Sequence, residues 1–240
     1  MRFANQTAVV TGASSGIGRA VARAIRREGM CVALVGRSRE RLEETANDGG
    51  SRDGGYRVYV AELADDASVR QLVAQLDRDL DGIDVLVHSA GAISLGSVEH
   101  ATVEEFDQQY RVNLRAPFQI TQALLPKLKR SRGQVIFINS TAGLTANANA
   151  AQYSATKHGL KGLADSLRDE VNAAGVRVIS VFPGRVATPM QKALLETEGG
   201  AWKPERLMQP EDLAQVVVEA LAVPRTAEVT NVTVRPMVKY

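Results

Sequence analysis

The chain has 240 residues, 45% of them hydrophobic and 23% charged, with a formal net charge of +2. That length fits one large α/β domain better than two small ones, and the composition argues against a disordered or membrane-embedded chain. The Lys/Arg excess is scattered rather than run together, which speaks against nucleic acid or an anionic lipid surface as a partner.

The opening stretch "MRFANQTAVV" has no apolar leader core, and no window approaches the roughly 18 apolar residues of a spanning helix. A cytoplasmic protein without membrane contact is the expectation. "TAVVT" then reads as a strand, followed by a glycine-rich turn and a helix over 16–28 that puts Ile17, Val21, Ala24 and Ile25 on one face. In the turn, Gly12, Gly16 and Gly18 are spaced GxxxGxG. A sharp bend, close approach of the backbone to a pyrophosphate and tight helix–strand packing all require glycine, and free N–H groups at the helix start face the anion. The same glycines would serve a purely structural turn. Their place at the opening of the first strand–helix–strand unit favours the phosphate reading.

The second strand-like run, "CVALVG", holds the only cysteine, Cys31, which reads as a small core residue. At the end of this run an acid would bond a ribose 2′-hydroxyl and favour NAD, whereas a cation would pair a 2′-phosphate. The chain has Gly36 there, then Arg37, Ser38 and Arg39. This points to NADP(H), with a merely solvated Arg37 as the alternative. "NDGGSRDGG" at 47–55 reads as a surface loop within this βαβ unit, too central to be a domain linker.

The run "YRVYVA" is the third strand, and residues 66–80 form a helix with Val69, Leu72, Val73, Leu76 and Leu80 on one face. "DVLVHSA" is the fourth strand. In the helical pattern that follows, Pro117 has no N–H to offer the carbonyl four residues earlier, which belongs to Asn113. "QVIFIN" leads to Ser140 at the carboxyl edge of the sheet, where open α/β folds place ligands. In the helix "AAQYSATKHGLKGLADSLRDEV", Tyr153 and Lys157 stand four residues apart and share a face. A free phenol has a pKa of about 10, and a neighbouring ammonium would bring it toward neutrality. "VRVISVF" and "NVTVRP" complete seven runs, rich in Val and Ile and mostly continuous, as strands buried on both faces read. The alternation predicts one α/β domain over 1–240, a parallel sheet wrapped by helices.

The stretches "TGASSGIG" (11–18), "DVLVHSAG" (84–91), "VNL" (112–114), "INS" (138–140), "YSATK" (153–157) and "PGRVATP" (183–189), in this order, resemble the short-chain dehydrogenase/reductase family in its NADP-preferring branch. The resemblance covers essentially the full length. It implies a doubly wound Rossmann sheet of seven strands in the order 3-2-1-4-5-6-7, commonly in homodimers or homotetramers, here through helices around 102–129 and 151–173. It implies a catalytic set of Asn113, Ser140, Tyr153 and Lys157. It also implies cofactor contacts from Gly12, Ser14, Ser15, Gly16, Ile17, Gly18, Arg37, Ser38, Leu63, Ser89, Ala90, Gly91, Tyr153, Lys157, Pro183, Gly184, Val186 and Thr188. In the family the carbonyl matching that of Asn113 helps hold a water in a proton relay to the lysine; Pro117 would either leave that carbonyl free to do so or merely kink the helix.

The family's usual Asn-Asn-Ala-Gly is here His88, Ser89, Ala90 and Gly91, and Glu62 stands where an Asp often lies near the adenine. Residues 185–207 resemble a substrate lid. Met190, Leu194, Leu195 and Trp202 either line an apolar pocket or pack the helix. Arg185, Lys192, Lys203 and Arg206 are candidate carboxylate partners, with solvated surface charge as the plainer reading. His88, His100 and His158 lack metal-ligand spacing, so no metal is expected. The C-terminal "NVTVRP" resembles family reductases and alcohol dehydrogenases of small carbonyls. It speaks against a 3-oxoacyl-thioester reductase, and the intact Tyr/Lys pair speaks against a non-catalytic NADP-binding redox sensor.

Overall fold

The structure is a computed structural model and describes residues 1–47 and 55–238. Residues 48–54 of the glycine-rich stretch expected at 47–55 lie outside the described residues.

Seven strands form one parallel sheet: β1 (Thr7–Thr11), β2 (Cys31–Gly36), β3 (Tyr56–Val60), β4 (Val85–His88), β5 (Gln134–Ile138), β6 (Arg177–Pro183) and β7 (Asn231–Val234). Their spatial order is β3-β2-β1-β4-β5-β6-β7, as the resemblance implies. The order reverses between β1 and β4, which pair from Ala8–Val85 to Thr11–His88 and leave a crevice beyond their carboxyl ends.

Burial explains the composition of the strands. β4, β5 and β6 are buried at every position, while edge strand β7 alternates exposed and half-buried residues. Central strands are covered on both faces and so read as unbroken apolar runs. Cys31, the first residue of β2, is only half-buried rather than enclosed, because the strand starts at the rim of the sheet.

Helices α1 (Gly16–Arg27), α2 (Arg39–Asn47) and α8 (Pro210–Ala222) supply one face. Val21 and Ile25 meet Leu213, Val217 and Leu221 there. On the other face lie α3 (Asp66–Asp79), α5 (Ala116–Ser131) and α6 (Ala151–Val171). Leu72, Leu76, Ile120, Leu124 and Leu160 pack together on that side. Each such fully buried side chain contributes about 1.5–3 kcal/mol of hydrophobic stabilisation. Arg177 tightens the far edge by donating to the carbonyls of Leu221 and Val223 at the end of α8, which have no intrahelical partner, and to that of Ala227 in the segment that follows.

Two helices bear on function through their local form. The long helix expected around 102–129 is α4 (Val103–Tyr110), a π-helical turn (Arg111–Arg115) and α5 in succession. Thr102 and Glu105 cap α4 reciprocally. In the π-turn the Ala116 N–H reaches the Arg111 carbonyl. The widened turn lets the chain pass Pro117 in the first turn of α5, where a missing N–H costs least. The remaining helix, α7 (Pro189–Thr197), follows β6 and is capped by Thr188, whose hydroxyl accepts the Gln191 N–H at 3.1 Å.

Candidate active site

The crevice floor is backbone packed on backbone. Gly12 has a φ of +69°, and a Cβ there would lie 2.7 Å from the Ala90 nitrogen. A Cβ on Gly18 would run into the Gly12 carbonyl oxygen. Gly16, at φ +51°, faces the Thr188 methyl group, so α7 starts directly over the glycine turn. Thr11 secures the opposite wall: its buried hydroxyl accepts the N–H groups of Ser89 and Ala90 at 3.1 and 3.3 Å. Ser15, at the N-cap of α1, makes no side-chain capping bond, and the first turn of that helix carries no acid. A cradle that any side chain would fill, at an uncapped helix start, fits the pyrophosphate of a dinucleotide.

The second corner lies at the end of β5. The Asn139 N–H donates to Val181 at 2.8 Å, its side-chain oxygen accepts the Ser140 N–H at 2.9 Å, and its side-chain nitrogen donates to the Lys157 carbonyl at 3.1 Å. One buried amide thus ties Ser140 to the backbone of α6. Ser140 Oγ accepts the Ala142 N–H at 3.1 Å and is hydrogen-bonded to the Tyr153 side chain. Lys157 Nζ donates to the Ile138 carbonyl at 3.2 Å and lies 5.7 Å from the centre of the Tyr153 ring. The structure therefore brings together Ser140, Tyr153 and Lys157.

Electrostatics in this corner differ from the simple expectation. Burial pushes the Tyr153 phenol above its usual range, and the Ser140 hydrogen bond opposes that rise. Burial also lowers Lys157 to about 8. Desolvation, not the neighbouring ammonium, dominates the phenol: Lys157 is buried and Tyr153 half-buried.

Asn113 is buried within the π-turn, and both of its side-chain N–H groups are engaged. It accepts the Ala92 N–H at 2.8 Å and donates to the Ala92 carbonyl at 2.8 Å and to Thr156 Oγ1 at 3.0 Å. It therefore clamps the segment after β4 to α6, beside Gly91. Its side chain has no N–H left to donate to a small molecule, and its backbone carbonyl faces a proline with no N–H to give.

Departures from the family pattern have clear local roles. His88 is buried, stacks on Phe137 at 5.1 Å and bonds Thr121 Oγ1 at 2.8 Å. Burial holds its pKa at about 3, so it is a neutral packed strand end. His100 and His158 are exposed elsewhere, and among the described residues no cluster of three metal-ligating side chains occurs. Leu63 is buried at the end of β3's continuation. Glu62 Oε1 accepts the Ala64 N–H at 3.0 Å, and its other oxygen lies 3.8 Å from Arg37 Nη1. Arg37 is 75% exposed. Ser38 Oγ accepts the Arg41 N–H at 3.3 Å at the start of α2, and Ser14 lies against Gly36.

In the segment after β6, Pro183 ends the strand, and the Gly184 N–H donates to Val234 at 2.8 Å. Val186 is buried and bridges to Met208. Met190 Cε reaches over Gly91, whereas Leu195 is buried in helix packing rather than lining a pocket. Arg185 is engaged bidentately by Glu198 at 3.0 and 3.2 Å, so it is not a bare carboxylate receptor. Lys192, Lys203 and Arg206 are exposed.

Asn139, Thr11 and Thr156 carry positioning bonds that the sequence reading assigned to no role. The motifs contain Asn139 next to Ser140 and Thr156 next to Lys157, but only the fold reveals their partners.

The short chain dehydrogenase family model matches residues 6–199. An oxidoreductase of Staphylococcus aureus (strain USA300), described as uncharacterized, is 33% identical over 234 residues, covering 97% of this chain and 98% of the relative. Among solved structures, an alcohol dehydrogenase from the archaeon Thermococcus sibiricus, complexed with 5-hydroxy-NADP, matches with a TM-score of 0.88 at 28% identity, covering 98% of each chain. A metagenomic short-chain oxidoreductase in complex with NADP matches with a TM-score of 0.85 at 29% identity over 100% of both chains. The chain belongs to the short chain dehydrogenase family.

Proposed function

We propose that this protein is an NADP(H)-dependent oxidoreductase that interconverts a small carbonyl and the corresponding secondary alcohol. The observation that carries the reading is the corner at the end of β5, where Ser140 bonds Tyr153 and Lys157 lies beside the same ring. In reduction, Tyr153 gives its proton to the carbonyl oxygen, and in oxidation it removes one from the alcohol. Ser140, anchored by Asn139 and Ala142, orients that oxygen and shares its developing charge. Lys157 places its ammonium against the phenol and, by family analogy, holds the nicotinamide ribose hydroxyls. A bound NADPH supplies the hydride. Asn113 acts as a clamp through its side chain, and its carbonyl, opposite Pro117, is the acceptor that holds the relay water.

The glycine cradle takes the pyrophosphate through Gly12, Ser14, Ser15, Gly16, Ile17 and Gly18. Arg37 and Ser38 take the 2′-phosphate, while Leu63, Ser89, Ala90 and Gly91 border the adenosine and nicotinamide halves. Pro183, Gly184, Val186 and Thr188 border the carboxamide. Two of the similar structures were solved with NADP-type ligands, which supports the choice of NADP(H). Residues 185–207 form the substrate lid of a single domain. We further propose a cytoplasmic homodimer or homotetramer. Phe106, Tyr110 and Phe118, all more than 40% exposed along α4 and α5, make the face that a second copy would cover.

The test is a fluorescence titration of NADPH against NADH on wild type and R37A. Preference for NADPH by about tenfold, lost in R37A, is expected from a charge-assisted phosphate contact. Equal binding, or tighter NADH binding, would overturn the Arg37 assignment and leave the Tyr153 chemistry standing.

A further inference from the structure

Three arginines around the carboxyl end of β2 have a carboxylate beside them. Arg19 Nη2 lies 3.2 Å from Glu44, Arg39 Nη1 3.7 Å from Glu43, and Arg37 Nη1 3.8 Å from Glu62. Glu43 and Glu44 belong to α2, on the same segment as Arg39. Glu62 differs. It arrives from the end of β3, brought alongside β2 by the ladder that ends at Gly36–Val60 and by the Ala61 N–H bonding the Gly36 carbonyl at 2.9 Å.

Glu62 is also built in, not swinging freely. Its N–H donates to Ser68 Oγ at 2.9 Å, and its Oε1 accepts the Ala64 N–H at 3.0 Å. These bonds hold the acid within its own turn and aim the other oxygen at Arg37. An anion that pairs with Arg37 must therefore share the guanidinium with a carboxylate already in place. A 2′-phosphate brings a charge of about −1.5 to −2, so it meets repulsion from Glu62 as well as attraction from Arg37. A ribose 2′-hydroxyl brings no charge and meets neither.

We propose that Glu62 is a specificity-determining residue that opposes 2′-phosphate binding at Arg37 and so moderates the preference for NADP(H) over NAD(H). The proposal rests on the reading of Arg37 as the 2′-phosphate partner. The consequence is a site whose nucleotide preference is smaller than its cations alone would give, and which one neutral substitution sharpens. E62Q is the suitable change, because the amide oxygen still accepts the Ala64 N–H while the charge is gone.

The experiment is titration of NADPH and of NADH by fluorescence, at low and high salt, on wild type, E62Q and R37A. Across a separation of several ångströms near the surface, E62Q should tighten NADPH by about threefold to tenfold at low ionic strength. NADH affinity should stay within about twofold, since the lost interaction is with charge. The gain should shrink in high salt, which a change of shape would not do. Equal weakening of both nucleotides would overturn the proposal and make Glu62 an adenosine-positioning group. Selective weakening of NADPH would overturn it by showing that Glu62 aims Arg37 at the phosphate. Unchanged binding of both would also overturn it. R37A keeps the two ideas apart: if it leaves NADPH affinity intact, the Arg37 reading fails whatever E62Q does.

Discussion

The two ends of the crevice are built on opposite principles. At the end of β5 the groups are buried or half-buried and over-determined: Lys157 is 3% exposed, and Asn139 alone makes three hydrogen bonds. At the end of β2 the groups are exposed charges, with Arg37 75% exposed and its acidic neighbour at 3.8 Å. Position at the first end is set by directional bonds in a low dielectric, where an error of geometry is expensive. Groups at the second end act through charge in a high dielectric, where each pair is weak and easily retuned. On the proposed function, chemistry sits at the rigid end and nucleotide choice at the adjustable one.

The largest expected effect breaks the rigid end. Y153F removes the only phenol proton in the corner and should lower kcat about 10³-fold, the range of a lost general acid/base. NADPH affinity should change little. The check is hydride-transfer rate by NADPH absorbance across a panel of small ketones and aldehydes, alongside the titration. Turnover near the wild-type level would remove Tyr153 from the mechanism.

Next comes the bond that ties that end together. N139A leaves the Ser140 N–H without its partner and removes the second bond to the Lys157 carbonyl, which α6 itself still engages. An unsatisfied buried group costs about 1–3 kcal/mol, so the melting temperature should fall by several degrees. Misplacement of Ser140 against Tyr153 should cut kcat by about 10- to 100-fold. Nucleotide affinity should fall far less, because the glycine cradle and Arg37 lie elsewhere. A loss confined to melting temperature, with kcat intact, would reduce Asn139 to a packing residue.

His88 gives a pH test of the same buried end. Its folded pKa of about 3 lies below the 6.5 of the free side chain. Between those values the unfolded chain binds a proton that the folded chain refuses, so stability falls as pH falls below 6.5. The loss attributable to this residue between pH 6.5 and 5 is about 2 kcal/mol. Urea unfolding at both pH values should show a flatter dependence in H88N, which cannot titrate. An unchanged dependence would mean that the imidazole is protonated, or hydrated, in the folded protein.

Much of this contrast was legible before the structure. Strand order followed from the family resemblance, and parallel pairing from the unbroken apolar runs, because burial on both sheet faces leaves no polar alternation to hide it. Tyr153 and Lys157 were visible because four residues of helix is a fixed geometry. Asn139 was not, since its partners are a neighbouring N–H and a carbonyl 18 residues away that meet only when β5 and α6 pack. The helix through Asn113 was expected, but its π-turn was not, because a proline signals a missing donor without saying how the backbone will yield. The raised phenol of Tyr153 was missed for a related reason. Spacing shows which charge is near, whereas desolvation depends on everything else that surrounds it.

The smallest expected effect belongs to the exposed end and sharpens the comparison most. If nucleotide preference rests on solvent-exposed charge, raising ionic strength from about 0.05 to 0.5 M should shrink the NADPH:NADH affinity ratio by about threefold, as the screening length drops from more than 10 Å to about 4 Å. The 2′-position of NADH adds nothing to its salt dependence, because the uncharged hydroxyl gains nothing from Arg37. Both nucleotides carry the same pyrophosphate, so its salt dependence cancels in the ratio. What remains is the 2′-phosphate contact alone. A ratio that holds steady in salt would place that contact in a closed, desolvated pocket. The end of β2 would then resemble the end of β5, with Arg37 drawn inward on binding and the division between a rigid and an adjustable end removed.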